Sequence, residues 1–453
     1  MLGSGIHWWN LRFGVLVGGG GLWIASLPAS SQETALKTVV ALSDFALAPH
    51  GDWQAEAYHD GIRPEFAVDE AVGRTAPGAL RIAARGNPAA FGNFRYRVAG
   101  ITAGKWYRLT AYYRLQHVPS PRRSVFARLV WVDAEGVRQH YKDLLWRTEP
   151  EGEWVRLWGT FQAPEKAVAV DIELFLAWAA QGTVWWDDLT LEEVPRPPER
   201  IVRVATVFHR PRETGSPEKS VAEFCQKVAE ASVYRPDIVC LPEGITVIGT
   251  GKRYCEVAEP IPGPTTARLG EVARQYGCYL VAGLYERDGN LYYNTAVLLD
   301  RQGKLVGKYR KTHLPNEEFT EGLTPGEEYP VFQTDFGTVG MMICWDVQFP
   351  EPARALAAQG AEMIFLPIWG GNEILARARA IENHIVLVTS SYDMKTGIIN
   401  PCGEFLGVAT PEQPIVCCPV NLDEKIVQEW IGDMKGRTIR ERRTDLRVPE
   451  LER

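Results

Sequence analysis

Val339-Gly-Met-Met-Ile-Cys-Trp-Asp-Val-Gln-Phe-Pro-Glu351 is the stretch on which the reading of this chain turns. An apolar run of strand length stops at Cys344. Aromatic and acidic residues and Pro350 follow, and residues 351–359 then have the pattern of a helix closed by Gly360. A strand that ends on a thiol before a turn and a helix puts the sulfur at the carboxyl edge of a sheet, where α/β folds do their chemistry. One cysteine in such a place also has a plainer reading, because free Cys is among the most buried residue types.

The surrounding pattern is α/β. Residues 201–208 read as a strand, and Ser216-Pro217 caps a helix whose Val221, Phe224, Val228 and Ala231 recur at helical spacing. Strands follow at 237–241, 279–284, 291–299, 304–309, 362–366 and 385–390, with helices at 265–276 and 373–383. Alternation of this kind predicts a layered α/β domain. Two of the strands end in charge. Ile238-Val-Cys-Leu-Pro-Glu243 closes on a carboxylate, and Lys304-Leu-Val-Gly-Lys-Tyr-Arg-Lys-Thr-His313 leads to Lys311. Either could be surface charge. If the strands lie side by side, however, Glu243, Lys311 and Cys344 converge on one edge as a base, a cation and a thiol. That set is chemically complete, since a thiol needs a proton acceptor and a developing oxyanion needs donors.

These segments resemble the nitrilase, or carbon–nitrogen hydrolase, superfamily from about Val202 to Val420. The resemblance rests on Leu-Pro-Glu243, Lys308-Tyr-Arg-Lys311-Thr-His-Leu-Pro, Pro325-Gly-Glu, Gly340 to Glu351 and Arg379-Ala-Ile-Glu-Asn383. It implies a four-layer αββα sandwich that commonly dimerises. It also implies Cys344 as nucleophile, Glu243 as general base and Lys311 as oxyanion-stabilising cation. The family uses a second glutamate after the lysine. Within Asn316-Glu-Glu-Phe-Thr-Glu321 the expected choice is Glu321, with Glu317 and Glu318 as solvated loop charges. Trp345 is expected to lend a backbone N–H to the oxyanion. Asp346 resembles amidases and carbamoyl hydrolases more than true nitrilases, so the implied substrate is a small amide or N-carbamoyl compound and the implied cofactor is none. A true nitrilase, or a secreted glycan-binding protein on an inactive hydrolase scaffold, stays as an alternative.

Upstream, residues 38–193 read as all-β, with alternating runs at 79–84, 106–115, 124–132, 153–161, 168–177 and 183–192 separated by turn signals. The pattern predicts a sandwich. Ending on Trp185-Trp-Asp-Asp-Leu-Thr-Leu191, it resembles the jelly-roll modules of the galactose-binding-like and carbohydrate-binding type, which implies a glycan partner. Packing is the ordinary alternative for its tryptophans. A proline-rich linker covers 194–200, the hydrolase domain 201–422, and a charged extension 423–453. The extension reads as solvated, or as an arm over a dimer partner.

At the N-terminus, Arg12, the apolar run 13–27 and Ala29-Ser30-Ser31 have the order of a signal peptide over residues 1–31, which predicts export. Gly18–Gly21 makes a poor helix, and an uncleaved anchor is the alternative. The net charge of −7 and the lack of a basic stripe give no reason to expect a nucleic-acid partner. The eight cysteines all follow residue 200 without a CxxC pair, so neither a metal site nor a disulfide framework is expected.

Overall fold

The computed structural model describes residues 36–43, 45, 53–140, 142–428, 431–443 and 446. The signal-peptide reading of residues 1–31 falls outside them. Everything below belongs to the compact unit that begins at Lys37.

From Lys37 to Val194 the chain forms two antiparallel sheets, one of seven strands and one of five. The central strands of the larger are Trp106–Gln116, Trp154–Gln162 and Thr183–Val194; those of the smaller are Phe91–Ala99, Ala169–Ala177 and Val125–Val132. Alternate residues of both sheets, such as Leu109, Ala111, Val184 and Trp186 against Leu129, Trp131, Ile172 and Leu174, meet in one core. This is what period-two patterning produces when each sheet buries one face.

From Ile201 onward there are two six-stranded sheets. The first carries the parallel neighbours Ile201–Val207, Ile238–Cys240 and Tyr279–Asp288, and continues through Leu291–Leu299 to Leu305–Arg310. The second pairs Thr338–Met341 with Met363–Ile368 and Val386–Ser391, again in parallel. Val204, Ile238, Val281, Met341, Phe365 and Val388 pack the two sheets together. Helices Pro217–Ala231 and Pro264–Tyr276 cover the outer face of the first sheet through Val221, Phe224, Leu269 and Val272. Helices Pro350–Ala358 and Glu373–Asn383 cover the second through Ala353, Leu356, Ala376 and Ala380. The order is therefore helix, sheet, sheet, helix. Strands buried on both faces explain the unbroken apolar runs, such as Met363–Ile368, that lack any alternation.

The linker ends in a clamp. Arg200 donates to Glu362 at 2.9 and 3.0 Å and to Asp423 at 2.7 Å, joining the seam between the two halves to the chain's C-terminal part. Residues 424–428 of the extension are mostly exposed, as a solvated extension would be, whereas the segment after them is not. Helix Met434–Glu441 packs back on the chain, with Lys435 donating to the Leu422 carbonyl at 3.1 Å and Arg440 to that of Arg123 at 2.9 Å. A charged segment can dock in this way when its cations find main-chain oxygens instead of an apolar stripe.

Candidate active site

Glu243, Lys311 and Cys344 are brought together at the carboxyl edges of the two sheets. Glu243 follows the strand Ile238–Cys240, Lys311 follows Leu305–Arg310, and Cys344 follows Thr338–Met341. Glu243 and Lys311 are almost wholly buried, at 2% and 1% exposure. Gly283, on the neighbouring strand, lets Glu243 sit this deep, because a Cβ there would lie 2.7 Å from the Glu243 Cα.

Each oxygen of Glu243 is held. Oε1 accepts from Asn294 Nδ2 at 2.7 Å and from Lys311 Nζ at 3.2 Å, while Oε2 accepts the Trp369 amide at 2.7 Å. Its main-chain carbonyl accepts from Tyr392 at 2.8 Å. Lys311 Nζ also donates to Glu318 at 2.9 Å, and Asn294 Nδ2 bridges the two carboxylates by donating to Glu318 at 2.8 Å. Burial works against the charge on Lys311, but Glu243, Cys344 and Glu318 outweigh it and hold the ammonium well above its ordinary range. Glu318 is pushed up by burial and by Glu243, against the pull of Lys311.

The second carboxylate is thus Glu318, where the sequence reading expected Glu321. Residues Asn316–Thr320 form a single helical turn that presents Glu318 inward at 5% exposure, whereas Glu321 caps the turn and is exposed. Glu317 is exposed, as a solvated loop charge would be. Asn294 was not singled out from the sequence. The available signal was an Asn in the middle of an otherwise apolar or aromatic strand, Leu291–Leu299, a position from which Asn is usually depleted.

Cys344 adopts φ 44°, in the left-handed region that a side chain bearing Cβ occupies at a cost of roughly 1–3 kcal/mol. That conformation ends the strand and starts the short 3-10 turn Cys344–Gln348. The turn is nailed by Asp346, which is fully buried. Its carboxylate accepts from the Ile343 amide at 2.9 Å, the Tyr309 hydroxyl at 2.7 Å and the His313 amide at 3.0 Å. One side chain therefore ties the cysteine turn to the segment that carries Lys311. Within the turn the first amide to be satisfied is that of Asp346, on the Ile343 carbonyl at 3.0 Å. The Trp345 amide precedes that ladder, as the first amides of any helical turn do. The Trp345 side chain is 41% exposed and is not part of the buried cluster.

The Cys344 thiol interacts with the Glu243 carboxylate and the Trp369 amide, and its Sγ lies 3.8 Å from the Gly370 carbonyl. Burial first, and then Glu243, push the thiol up to about 12, with Lys311 pulling the other way. The resting group is therefore a thiol, with a carboxylate positioned to take its proton. Stacked Tyr254 and Tyr285, with ring centroids 4.5 Å apart, lie in the field of Glu243 and Glu318 and wall this side of the site. Among the described residues, no group of three or more His, Cys, Asp or Glu is arranged to hold a metal ion.

Comparison with known proteins gives the family of the chain. The family model described as carbon-nitrogen hydrolase matches residues 203–430. Human omega-amidase NIT2 is 31% identical over 264 residues, covering 52% of this chain and 93% of that protein. A protein of Pyrococcus abyssi named nitrilase is 35% identical over 239 residues, covering 50% of this chain and 88% of its own. Among solved structures, an amidase from Nesterenkonia sp. AN1, with acrylamide added at its active-site cysteine, is similar at 26% identity and a TM-score of 0.43. That match covers 49% of this chain and 94% of the amidase chain.

Proposed function

This chain belongs to the carbon–nitrogen hydrolase family, and on that premise we propose that it hydrolyses a small amide to an acid and ammonia through a cysteine thioester. Glu243 takes the thiol proton as Cys344 Sγ attacks the amide carbon. The oxyanion that forms is held by Lys311 and the Trp345 amide, with Glu318 keeping the lysine in place. Collapse of the tetrahedral species breaks the C–N bond, and ammonia leaves with the proton Glu243 carried. Glu243 then draws a proton from water, whose oxygen attacks the thioester. The acid departs and the thiol is restored.

One observation carries the reading. The thiol sits at a left-handed turn against a carboxylate that shares its buried lysine with a second carboxylate. A structural cysteine has no need of those neighbours. Cys240, for example, is fully buried in the inter-sheet core and its Sγ meets main-chain groups, the Leu241 carbonyl at 3.7 Å and the backbone of Leu366. The amide class is favoured over nitriles by the relatives named omega-amidase. N-carbamoyl compounds would be attacked by the same chemistry.

The test is ammonia release by the purified protein across primary amides, N-carbamoyl compounds and nitriles, beside Cys344→Ala. Release from amides that disappears with Cys344 supports the proposal. A preference for nitriles would move the chain to the nitrilase chemistry, and silence on all three classes would overturn the amide reading.

A further inference from the structure

A cavity lined by none of the residues of this chemistry lies elsewhere in the chain. It has a volume of about 520 Å³, the size of a small-molecule site, and lies between the smaller sheet of the sandwich and the helix Met434–Glu441. Its floor is aromatic. Phe91 and Trp178 lie with ring centroids 5.3 Å apart, and Phe126 stacks on Phe175 at 4.4 Å. Trp178 is 45% exposed, with the Arg123 guanidinium 5.4 Å from its ring centroid. Among the described residues, seven Lys and Arg and one carboxylate, Glu441, stand around the floor, in a chain whose net charge is −7.

How those cations are engaged is the decisive point. Arg128 is taken by Glu173 and Arg437 by Glu441. Three others donate to neutral oxygens. Lys142 bonds the His140 carbonyl, and Arg442 bonds the Glu382 carbonyl and Asn383 Oδ1. Arg440 bonds the Arg123 carbonyl and lies 4.2 Å over the Phe126 ring, and its buried Nε has no hydrogen-bond partner among the described residues. Partly desolvated cations whose hydrogen bonds go to neutral oxygens are costly, and a bound anion relieves that cost. Titration behaviour agrees with this, since burial and then Arg128 and Arg138 pull Lys142 down, and burial brings Arg440 down to about 10.

We propose that this cavity binds a small polyanion attached to a ring, with the anionic groups on Lys142 and Arg440 and the ring on Trp178. The chemistry it selects is two or more sulfate, phosphate or carboxylate groups on a ring with a flat face, whether that ring belongs to an acidic saccharide or to a nucleotide. The inference is independent of the amide chemistry. It would join the sandwich to the hydrolase half, because Arg442 on the same rim reaches helix Glu373–Asn383.

The experiment is calorimetric titration of the full chain with a sulfated disaccharide, a nucleoside diphosphate and sodium sulfate, at matched ionic strength. One of the two ring-bearing anions is expected to bind below millimolar and to weaken with salt. Lys142→Gln and Trp178→Ala are each expected to weaken it at least about tenfold, the scale of one charge-assisted hydrogen bond or one ring contact. Cys344→Ala should leave it unchanged. The tighter of the two probes identifies the source. Equal binding of sulfate alone would overturn the role of the ring. Near-ultraviolet circular dichroism checks that each variant is folded. With folded protein, failure of both ring-bearing probes, or binding that survives both Lys142→Gln and Arg440→Gln, would overturn the site.

Discussion

Two clusters of buried charge, one in each half of the molecule, are built on opposite plans. In the sandwich, Asp171 and Glu173 lie at 0% and 1% exposure on the strand Ala169–Ala177. Arg97 meets Asp171 at 2.6 Å and Arg138 meets it at 3.0 Å, while Arg128 and Arg138 both meet Glu173. Cations outnumber anions there, and the guanidinium stems reach partly into water. At the hydrolase edge the ratio is reversed: Glu243 and Glu318 share Lys311, and all three are buried. The first arrangement neutralises. The second leaves a carboxylate only half compensated beside a thiol, which suits proton transfer. Buried charge by itself therefore does not mark a reaction site; an uncompensated group next to a reactive atom does.

The largest effect expected of any single change is Cys344→Ala, which should bring ammonia release down to the blank. It should leave stability within about 1 kcal/mol, because the side chain lost is small. Lys311→Met tests the plan of the cluster more directly. Turnover should fall by roughly 100- to 1,000-fold as one oxyanion donor is lost. Stability at neutral pH should also fall by about 3–5 kcal/mol, since two buried carboxylates are left without their cation. That second loss should shrink as pH is lowered and Glu318, already pushed up by burial, takes up a proton. Urea unfolding at pH 7 and pH 5 measures it, and a loss that is equal at both would mean packing and not charge.

Next in size is the pair Glu318→Gln and Glu321→Gln. The first should cut kcat by about 100-fold, at the lower end for a positioned group, and the second should stay within about twofold. Reversal of that order would return the role to the residue expected from sequence.

The same pair shows where the sequence is readable. Glu243 and Cys344 each follow an apolar strand, so the change from apolar to reactive residue marks both the strand and its edge, whereas Lys311 follows the mixed strand Leu305–Arg310 and is legible only through the motif around it. Glu318 sits in one helical turn of five residues, too short for periodicity to say which side faces in. Asn294 was hidden for a related reason, because its partners are 51 and 24 residues away in sequence. In the sandwich, the strand Phe91–Ala99 is hard to read because Gly92-Asn93 gives a turn signal near its start, although Phe94, Tyr96 and Val98 alternate with Arg95 and Arg97. Those arginines are the partners of Asp171. The helix-bearing half was legible because its strands are buried on both faces and its helices carry clear stripes.

Alkylation gives a smaller but more selective readout. With the thiol held near 12, the rate at which iodoacetamide modifies Cys344, followed by peptide mass spectrometry, should rise about tenfold per pH unit from 7 to 9 without a plateau. A plateau reached by pH 7 would mean a preformed thiolate, and Lys311 would then dominate Glu243 in setting its state.

The smallest expected effect is the one that separates the two clusters. Asp171→Asn should leave ammonia release unchanged while lowering stability at pH 7 by about 1–3 kcal/mol, the scale of a buried charged hydrogen bond. Burial alone would raise this carboxyl, but Arg97, Arg138 and Arg95 hold it below its ordinary value. A group depressed in the folded state stabilises fully above its unfolded pKa of about 3.9, and that contribution is lost as pH falls through the folded one. The gap between variant and parent should therefore be constant from pH 7 to about 4.5 and begin to narrow as pH falls below about 3.9, as urea unfolding would record. A gap that does not narrow at all on further acidification would assign it to shape instead of charge. A fall in activity would break the comparison itself, because the neutralised cluster would then be acting on a site in the other half of the chain.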